Sequence, residues 1–177
     1  MHKTIAPMTI EPGKRQMVFG AIYTKTQPYL HYKEIPKEKR GIKIPLVLMI
    51  MRWDGWIGFP GGNVDPGESL YEALGREMVE EINYKPDKVE LFKPMISFSL
   101  QDRNIHAFKH QVYKEEMIEI IRNATYGEHF LSENQGCFAL QIANFEDNKG
   151  ISQFMNHNYK ATAKAELIQL ISELEAS

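Results

Sequence analysis

Apolar and polar positions follow two different periods along this chain. Runs rich in β-branched and aromatic residues, with alternating apolar content, predict strands at Gln16 to Thr24, Ile44 to Arg52, Val89 to Ser99, Asn104 to Tyr113 and Cys137 to Asn144. The second run, IPLVLMIMR, is apolar at nearly every position, which predicts a central strand covered on both faces and therefore helices on either side of a sheet. A helical period takes over at Ser69 to Tyr84, Lys114 to Ala124 and about Asn158 to Glu175. In the last segment Leu167, Leu170, Ile171 and Leu174 form one stripe, read as core. No repeat, low-complexity tract or Pro/Gly/Ser-rich linker divides the chain, so one α/β domain over residues 1–177 is expected.

The helix beginning at Ser69 breaks the usual rule for an amphipathic surface helix. Ser69 and Glu72 have capping-box spacing, and at about 100° per residue Leu70, Ala73, Leu74, Glu77 and Glu81 then fall on one narrow stripe with Glu80 beside it. A solvated acidic face would lie opposite the leucines, whereas here the carboxylates continue the leucine line. Acidic pairs three or four apart repel by a few tenths of a kcal/mol each, and acids near a helix C-terminus oppose the dipole by about 0.3–1 kcal/mol. Arg76 can reach Glu80 or Glu68, but one arginine cannot neutralise three clustered glutamates. Oxygen-only donors with no nearby cysteine suit a hard divalent cation, Mg²⁺ or Mn²⁺, better than zinc. Just upstream, GFPGG places Gly58, Gly61 and Gly62 where backbone can approach an ion or a phosphate, and Pro60 stiffens the bend.

Composition adds mainly exclusions. Apolar residues make up 43% and charged residues 25%, ordinary globular usage that suggests neither disorder nor a fibrous repeat. A net charge of −2 gives no global reason for tight, nonspecific nucleic-acid binding. The basic segment Lys33 to Lys43 is expected to be a solvated loop, with phosphate contact as the alternative. With Cys137 the only cysteine, no internal disulfide and no cysteine-based zinc site are expected, and a reducing, cytoplasmic setting is the simpler expectation. The longest apolar run, Leu46 to Met51, is far below the roughly 20 residues of a membrane helix, so no membrane partner is expected.

The ordered spacing of Gly62, Glu68, Arg76-Glu77 and Glu80-Glu81 resembles the Nudix box, the defining motif of the Nudix hydrolases. Asn83 and Tyr84 stand where that motif has a glycine and an aliphatic residue, and Asn tolerates the left-handed conformation such a helix end needs. The resemblance implies a Nudix fold, an α/β/α sandwich around a central mixed sheet, and hydrolysis of a nucleoside diphosphate linked to a further group. It implies Glu77, Glu80, Glu81 and a carbonyl of the PGG turn, that of Gly61, as ligands of Mg²⁺ or Mn²⁺. It makes Arg76 and Glu68 orienting residues, with Gly62 structural in the motif.

A narrower resemblance, running from about Gln16 to Ile171 and carried by LMIMRWDGWIGFPGGNVD and FMNHNYKATAKAELIQLI, is to the small-nucleolar-RNA decapping and inosine diphosphatase subfamily. It implies Phe19, Arg52 and Phe59 as substrate-binding residues, the phenylalanines for base stacking and Arg52 for phosphate. Core packing is the competing expectation for both phenylalanines, and Phe19 takes the place of a histidine. It also implies Glu133 as an added ligand or base, beside Glu81 and Glu80 among the catalytic carboxylates, and a homodimer. His106 and His110 share a strand face with Phe108 and Val112 and are expected to be partly buried or hydrogen-bonded rather than ligands, with no role assigned. The expected substrates are m7G- or NAD-capped RNA or inosine diphosphate, with ADP-ribose or dinucleotides as rivals. A non-catalytic nucleotide- or RNA-binding module is the alternative of another class.

Overall fold

The long apolar run becomes the middle of a mixed sheet. The computed structural model describes residues 2–26, 37–39, 43–145 and 149–176. Its strands are β1 (Lys3–Ile5), β2 (Arg15–Thr26), β3 (Ile44–Arg52), β4 (Ile57–Gly58), β5 (Gly61–Asn63), β6 (Lys93–Ser99), β7 (Arg103–Gln111) and β8 (Asn134–Gln141). The helices are α1 (Leu70–Ile82), α2 (Lys114–Asn123), the single turn α3 (Ile151–Phe154) and α4 (Ala163–Glu175). The order β1-β6-β7-β2-β3-β4 forms the spine, with β5 paired to β2 and β8 to β3. Of these pairings only β2 with β7 is parallel.

Alternation along the central strands sorts their side chains between two cores. Val18, Ile22, Leu48 and Ile50 pack with Leu70, Leu74 and Met78 of α1 and with Met117 and Ile120 of α2. Ala21, Tyr23, Val47 and Met49 face the other way and pack with Leu167 and Leu170 of α4. The sheet thus lies between helices on both faces, the α/β/α arrangement expected, and the α4 stripe is core as read.

The differences from the sequence reading are local. The glycine segment taken for a loop contains β4 and β5, which exist because long neighbours supply their partners: β5 runs along β2 with Gly61 opposite Phe19 and Gly62 opposite Val18. The run from Val89 begins as a 3-10 turn, Val89–Leu91, laid over the α1 core, and only then becomes β6. The last helix starts at Ala163 because residues ahead of it are drawn into extended pairing: the Ile57 amide donates to the Asn158 carbonyl at 3.0 Å and the Lys160 amide to the Ile57 carbonyl at 2.9 Å. Most of the basic segment Lys33 to Lys43 lies outside the described residues; its 37–39 portion is a 3-10 turn.

Strand β2 changes partners midway. Met17 to Phe19 pair with β5, and Tyr23 to Thr26 pair with β3. The candidate site opens beside this change of partner.

Candidate active site

Helix α1 is fixed at both ends before any chemistry is considered. The Glu72 amide donates to Ser69 Oγ at 3.2 Å and the Ser69 amide to Glu72 Oε2 at 2.8 Å, completing the capping box. Asn83 closes the helix in the left-handed conformation, φ 50° and ψ 37°, as expected where the Nudix motif has glycine. The stripe is buried as patterned: Leu70, Ala73 and Leu74, then Glu77 at 6% exposure and Glu81 at 0%. Glu80, beside the stripe, is half-buried.

The glycine turn lies directly on these acids. The Gly61 amide donates to Glu81 Oε2 at 2.7 Å, while Glu81 Oε1 is buried without a hydrogen-bond partner. Burial pushes the Glu81 carboxyl up to about 8; the Gly61 amide acts against that rise, and the Glu77 and Glu133 charges add to it. Glu77 is also raised, by burial first, with Arg76 pulling the other way. Gly61 has φ +143°, and a Cβ there would stand 2.1 Å from the Val18 carbonyl oxygen, so only glycine keeps this strand against β2.

Arg76 ties the helix to the preceding loop. Its Nε and Nη2 donate to the two Glu68 oxygens at 2.9 and 3.1 Å, Nη2 also to the Asn63 carbonyl at 2.8 Å, and Nη1 to Glu77 Oε1 and Glu80 Oε2 at 2.9 Å each. Both pairings foreseen for Arg76 occur, and Glu77 is added. Glu68 in turn accepts the Asp65 amide at 3.0 Å. These bonds join α1 to the loop ahead of it.

Above the turn, a pocket gathers Phe19, Arg52, Phe59, Gly61, Gly62 and Glu133 from separate segments of the chain. Glu77, Glu80 and Glu81 do not line it; Glu77 and Glu81 lie against the glycine turn that forms part of its wall, and Glu80 is paired with Arg76. Phe59 is at once core, at 3% exposure, and pocket wall, and Phe19 also packs on the α4 core, so the core packing expected of both aromatics occurs and both also line the pocket. Arg52 Nε is 3.3 Å from Asp54 Oδ1.

Other pocket residues escaped the sequence reading. Glu166, 1% exposed, accepts the Thr162 hydroxyl on Oε1 at 2.6 Å, has Oε2 buried and unpartnered, and is pushed up to about 7 by burial. It shares the buried face of α4 with Ala163, Leu167 and Leu170, so the signal that singled out Glu77 and Glu81, an acid on an apolar stripe, was present here too. Lys160 joins the wall with no sequence mark. Outside the pocket lining, His129, equally unmarked, places Nδ1 3.9 Å from Glu80 Oε2 and 3.7 Å from Glu133 Oε1.

His106 is buried and hydrogen-bonded, as expected. The Gln16 amide nitrogen donates to the Lys14 carbonyl at 2.7 Å, which turns Gln16 Oε1 toward His106 Nε2 at 2.9 Å. Nε2 therefore carries the proton, and Nδ1 accepts the Ser97 hydroxyl at 2.9 Å. His110 lies against Phe92 and Tyr84, away from the pocket.

Among the described residues, no three His, Cys, Asp or Glu side chains stand ready-gathered around an ion position, and Arg76 engages Glu77 and Glu80. The donor set nevertheless fits a hard divalent cation. Glu81 Oε1 is a buried carboxyl oxygen without a partner, and Glu77 and Glu80 beside it on the helix offer only oxygen.

A mixed sheet between helices, with a buried acidic helix locked under a glycine turn, defines a Nudix protein. Residues 16–176 match the Nudt16-like family, described as U8 snoRNA-decapping enzyme-like, and the chain belongs to that family of Nudix hydrolases, enzymes of phosphoanhydride bonds that generally use divalent metals. It is 32% identical over 114 residues to the U8 snoRNA-decapping enzyme of Homalodisca vitripennis, an alignment covering 62% of this chain and 61% of the relative. Identity is 28% to the Xenopus laevis enzyme of that name, covering 73% and 65%, and 26% to that of Mus musculus, covering 82% and 79%. The matches thus span just under two thirds of the insect and frog proteins. Among solved structures, a mutT/nudix family protein from Listeria innocua aligns with TM-score 0.60 at 16% identity over 94% of this chain and 97% of its own. One from Enterococcus faecalis aligns with TM-score 0.64 at 12% identity over 97% and 66%, and both establish the fold.

Proposed function

We propose that this protein is a divalent-metal-dependent pyrophosphohydrolase acting on a nucleoside diphosphate linked to another group, with capped RNA or inosine diphosphate as its substrate. The observation that carries the reading is the Gly61–Glu81 contact: a backbone amide orients one carboxylate oxygen and leaves the other buried and unpartnered among further acids. A purely structural helix would gain by replacing such a group with an apolar one.

Glu77, Glu80, Glu81 and the Gly61 carbonyl would hold Mg²⁺ or Mn²⁺. The chemistry such an ion supplies when bound is a lowered pKa for attacking water and neutralisation of diphosphate charge. The chain's own residues do the rest. Phe19 and Phe59 offer ring surface to a base, at about 1–3 kcal/mol per stacked base, and Arg52 offers charge to phosphate. Glu81 or Glu133 takes a proton from water, and Arg76 holds Glu77, Glu80 and Glu68 in register. Glu166 presents Oε2 to polar groups of the nucleoside.

The Arg76 pairs that engage Glu77 and Glu80 favour one rival, a nucleotide-binding module without turnover. Mg²⁺-dependent monophosphate release from capped RNA, NAD-capped RNA, inosine diphosphate and ADP-ribose, compared between wild type and Glu81→Gln, separates the two. Loss of about 10²–10⁴-fold in rate is expected for the variant. Equal inertness of both proteins with equal nucleotide binding would establish the module instead.

A further inference from the structure

The chain contains two tryptophans, and both stand at the turn joining β3 to β4, beside the pocket. Trp53 is 59% exposed and Trp56 42%, although large aromatics ordinarily add most when buried. The turn is ordered rather than loose. The Gly55 amide donates to the Arg52 carbonyl at 3.0 Å and the Arg52 amide to the Trp56 carbonyl at 2.9 Å. Asp54 sits between Arg52 Nε at 3.3 Å and Lys160 Nζ at 2.9 Å and accepts the Trp56 amide at 3.4 Å.

The Arg52–Trp56 backbone pairing and the Lys160 contact show which way Trp56 faces. It lies two residues before Gly58, a pocket residue whose pro-Cβ direction meets Arg52 Cδ and Lys160 Cβ at 3.9 Å each. Arg52, Trp56, Gly58 and Lys160 therefore share one face, with Lys160 Nζ 6.0 Å from the Trp56 ring centre. The pocket wall continues outward as a cation-flanked aromatic surface. On its other side the Trp53 amide donates to the Glu133 carbonyl at 3.1 Å, joining the turn to the loop of a candidate base.

We infer that Trp56, with Trp53 at the tip, is a stacking platform for a second nucleobase, the one on the far side of the scissile pyrophosphate. The ligand is thus a nucleoside joined through its phosphates to another nucleoside. Two features select this occupant over a second copy of the chain. The platform is continuous with the pocket, and Arg52 and Lys160 between the two match the phosphates that would connect the bases. The inference rests on the pocket being a nucleoside diphosphate site.

The two tryptophans make the test direct. In the Glu81→Gln background with Mg²⁺, so that little ligand is consumed, Trp53→Phe leaves Trp56 as the sole tryptophan, read by excitation selective for indole. It is titrated with inosine diphosphate, a dinucleoside diphosphate and a capped tetranucleotide RNA. Quenching by the two-base ligands and little by inosine diphosphate is expected. By titration calorimetry, which needs no tryptophan, Trp56→Ala should lower the two-base to one-base affinity ratio roughly ten-fold, and Trp56→Phe should restore most of it. Quenching by RNA alone would identify the second base as that of a chain, and quenching by both would identify any dinucleotide. If inosine diphosphate binds but the ratio is unmoved by Trp56→Ala, the platform is wrong and the pocket stands. If no nucleotide binds at all, both fall. A Trp56→Ala protein with an unmoved ratio and a smaller mass by light scattering would assign the turn to a second copy.

Discussion

The Cα of Gly62 faces the Glu77 carboxylate so closely that an added Cβ would lie 2.5 Å from Oε1 and 2.8 Å from Cδ. The second glycine of the PGG turn is therefore the space in which a buried acid sits. Gly62→Ala must displace that carboxylate, since the strand above it is held by β2. Overpacking of this kind costs about 1–3 kcal/mol, and a misplacement of the order of 1 Å near reacting groups costs on the order of 10²-fold in rate. The variant should melt at a somewhat lower temperature and lose at least ten-fold in kcat. An unchanged kcat would show that the Glu77 position is irrelevant to turnover.

Arg76 acts as a clamp through geometry more than through charge. Its guanidinium, 28% exposed, meets Glu68, Glu77, Glu80 and the Asn63 carbonyl at once. Hydrogen bonds to charged groups are worth about 1.5–3 kcal/mol, so Arg76→Ala should lose about 2 kcal/mol in urea unfolding. Arg76→Lys keeps the charge but not the fork and should recover less than half of that. Full recovery by lysine would make the clamp a simple charge effect.

Glu166 ties stability to pH. Its folded carboxyl titrates at about 7, above the ordinary 4.5, so the folded state keeps a proton that the unfolded chain releases in between. Stability from this group is present below about pH 4.5 and is lost as pH rises through 7, by about 3 kcal/mol. Glu166→Gln should match wild type near pH 4.5 and exceed it at pH 8 in urea titrations. A constant difference across that range would mean that the carboxyl is charged throughout.

His106 works in the opposite direction. Burial lowers its pKa from 6.5 to about 4. The unfolded chain therefore takes up a proton below pH 6.5 that the folded state refuses until about pH 4, and stability falls as pH drops through that window, by about 3 kcal/mol at most. In the wild type this slope offsets that of Glu166, so each variant must be read against wild type. His106→Gln should flatten the acid side of the profile. If its profile parallels wild type from pH 7 to 4, His106 is already charged when folded.

The main strands and the three longer helices were legible in the sequence because their side chains repeat at the periods of a strand or a helix and the core simply collects them. The acids on the α1 stripe were legible for the same reason, since a carboxylate on a leucine line contradicts the period around it. What the sequence did not carry was pairing. β4 and β5 are too short and too rich in glycine to have a period of their own, and they exist because β3 and β2 offer them backbone partners. Glu166 was in principle readable from its stripe on α4, whereas Lys160 and His129 follow no pattern. Only the fold brings Glu166 and Lys160 to the pocket with Glu133, Arg52 and the glycine turn, and His129 beside Glu80 and Glu133, because a site assembled from several segments is specified by long-range packing, which no local window of residues records.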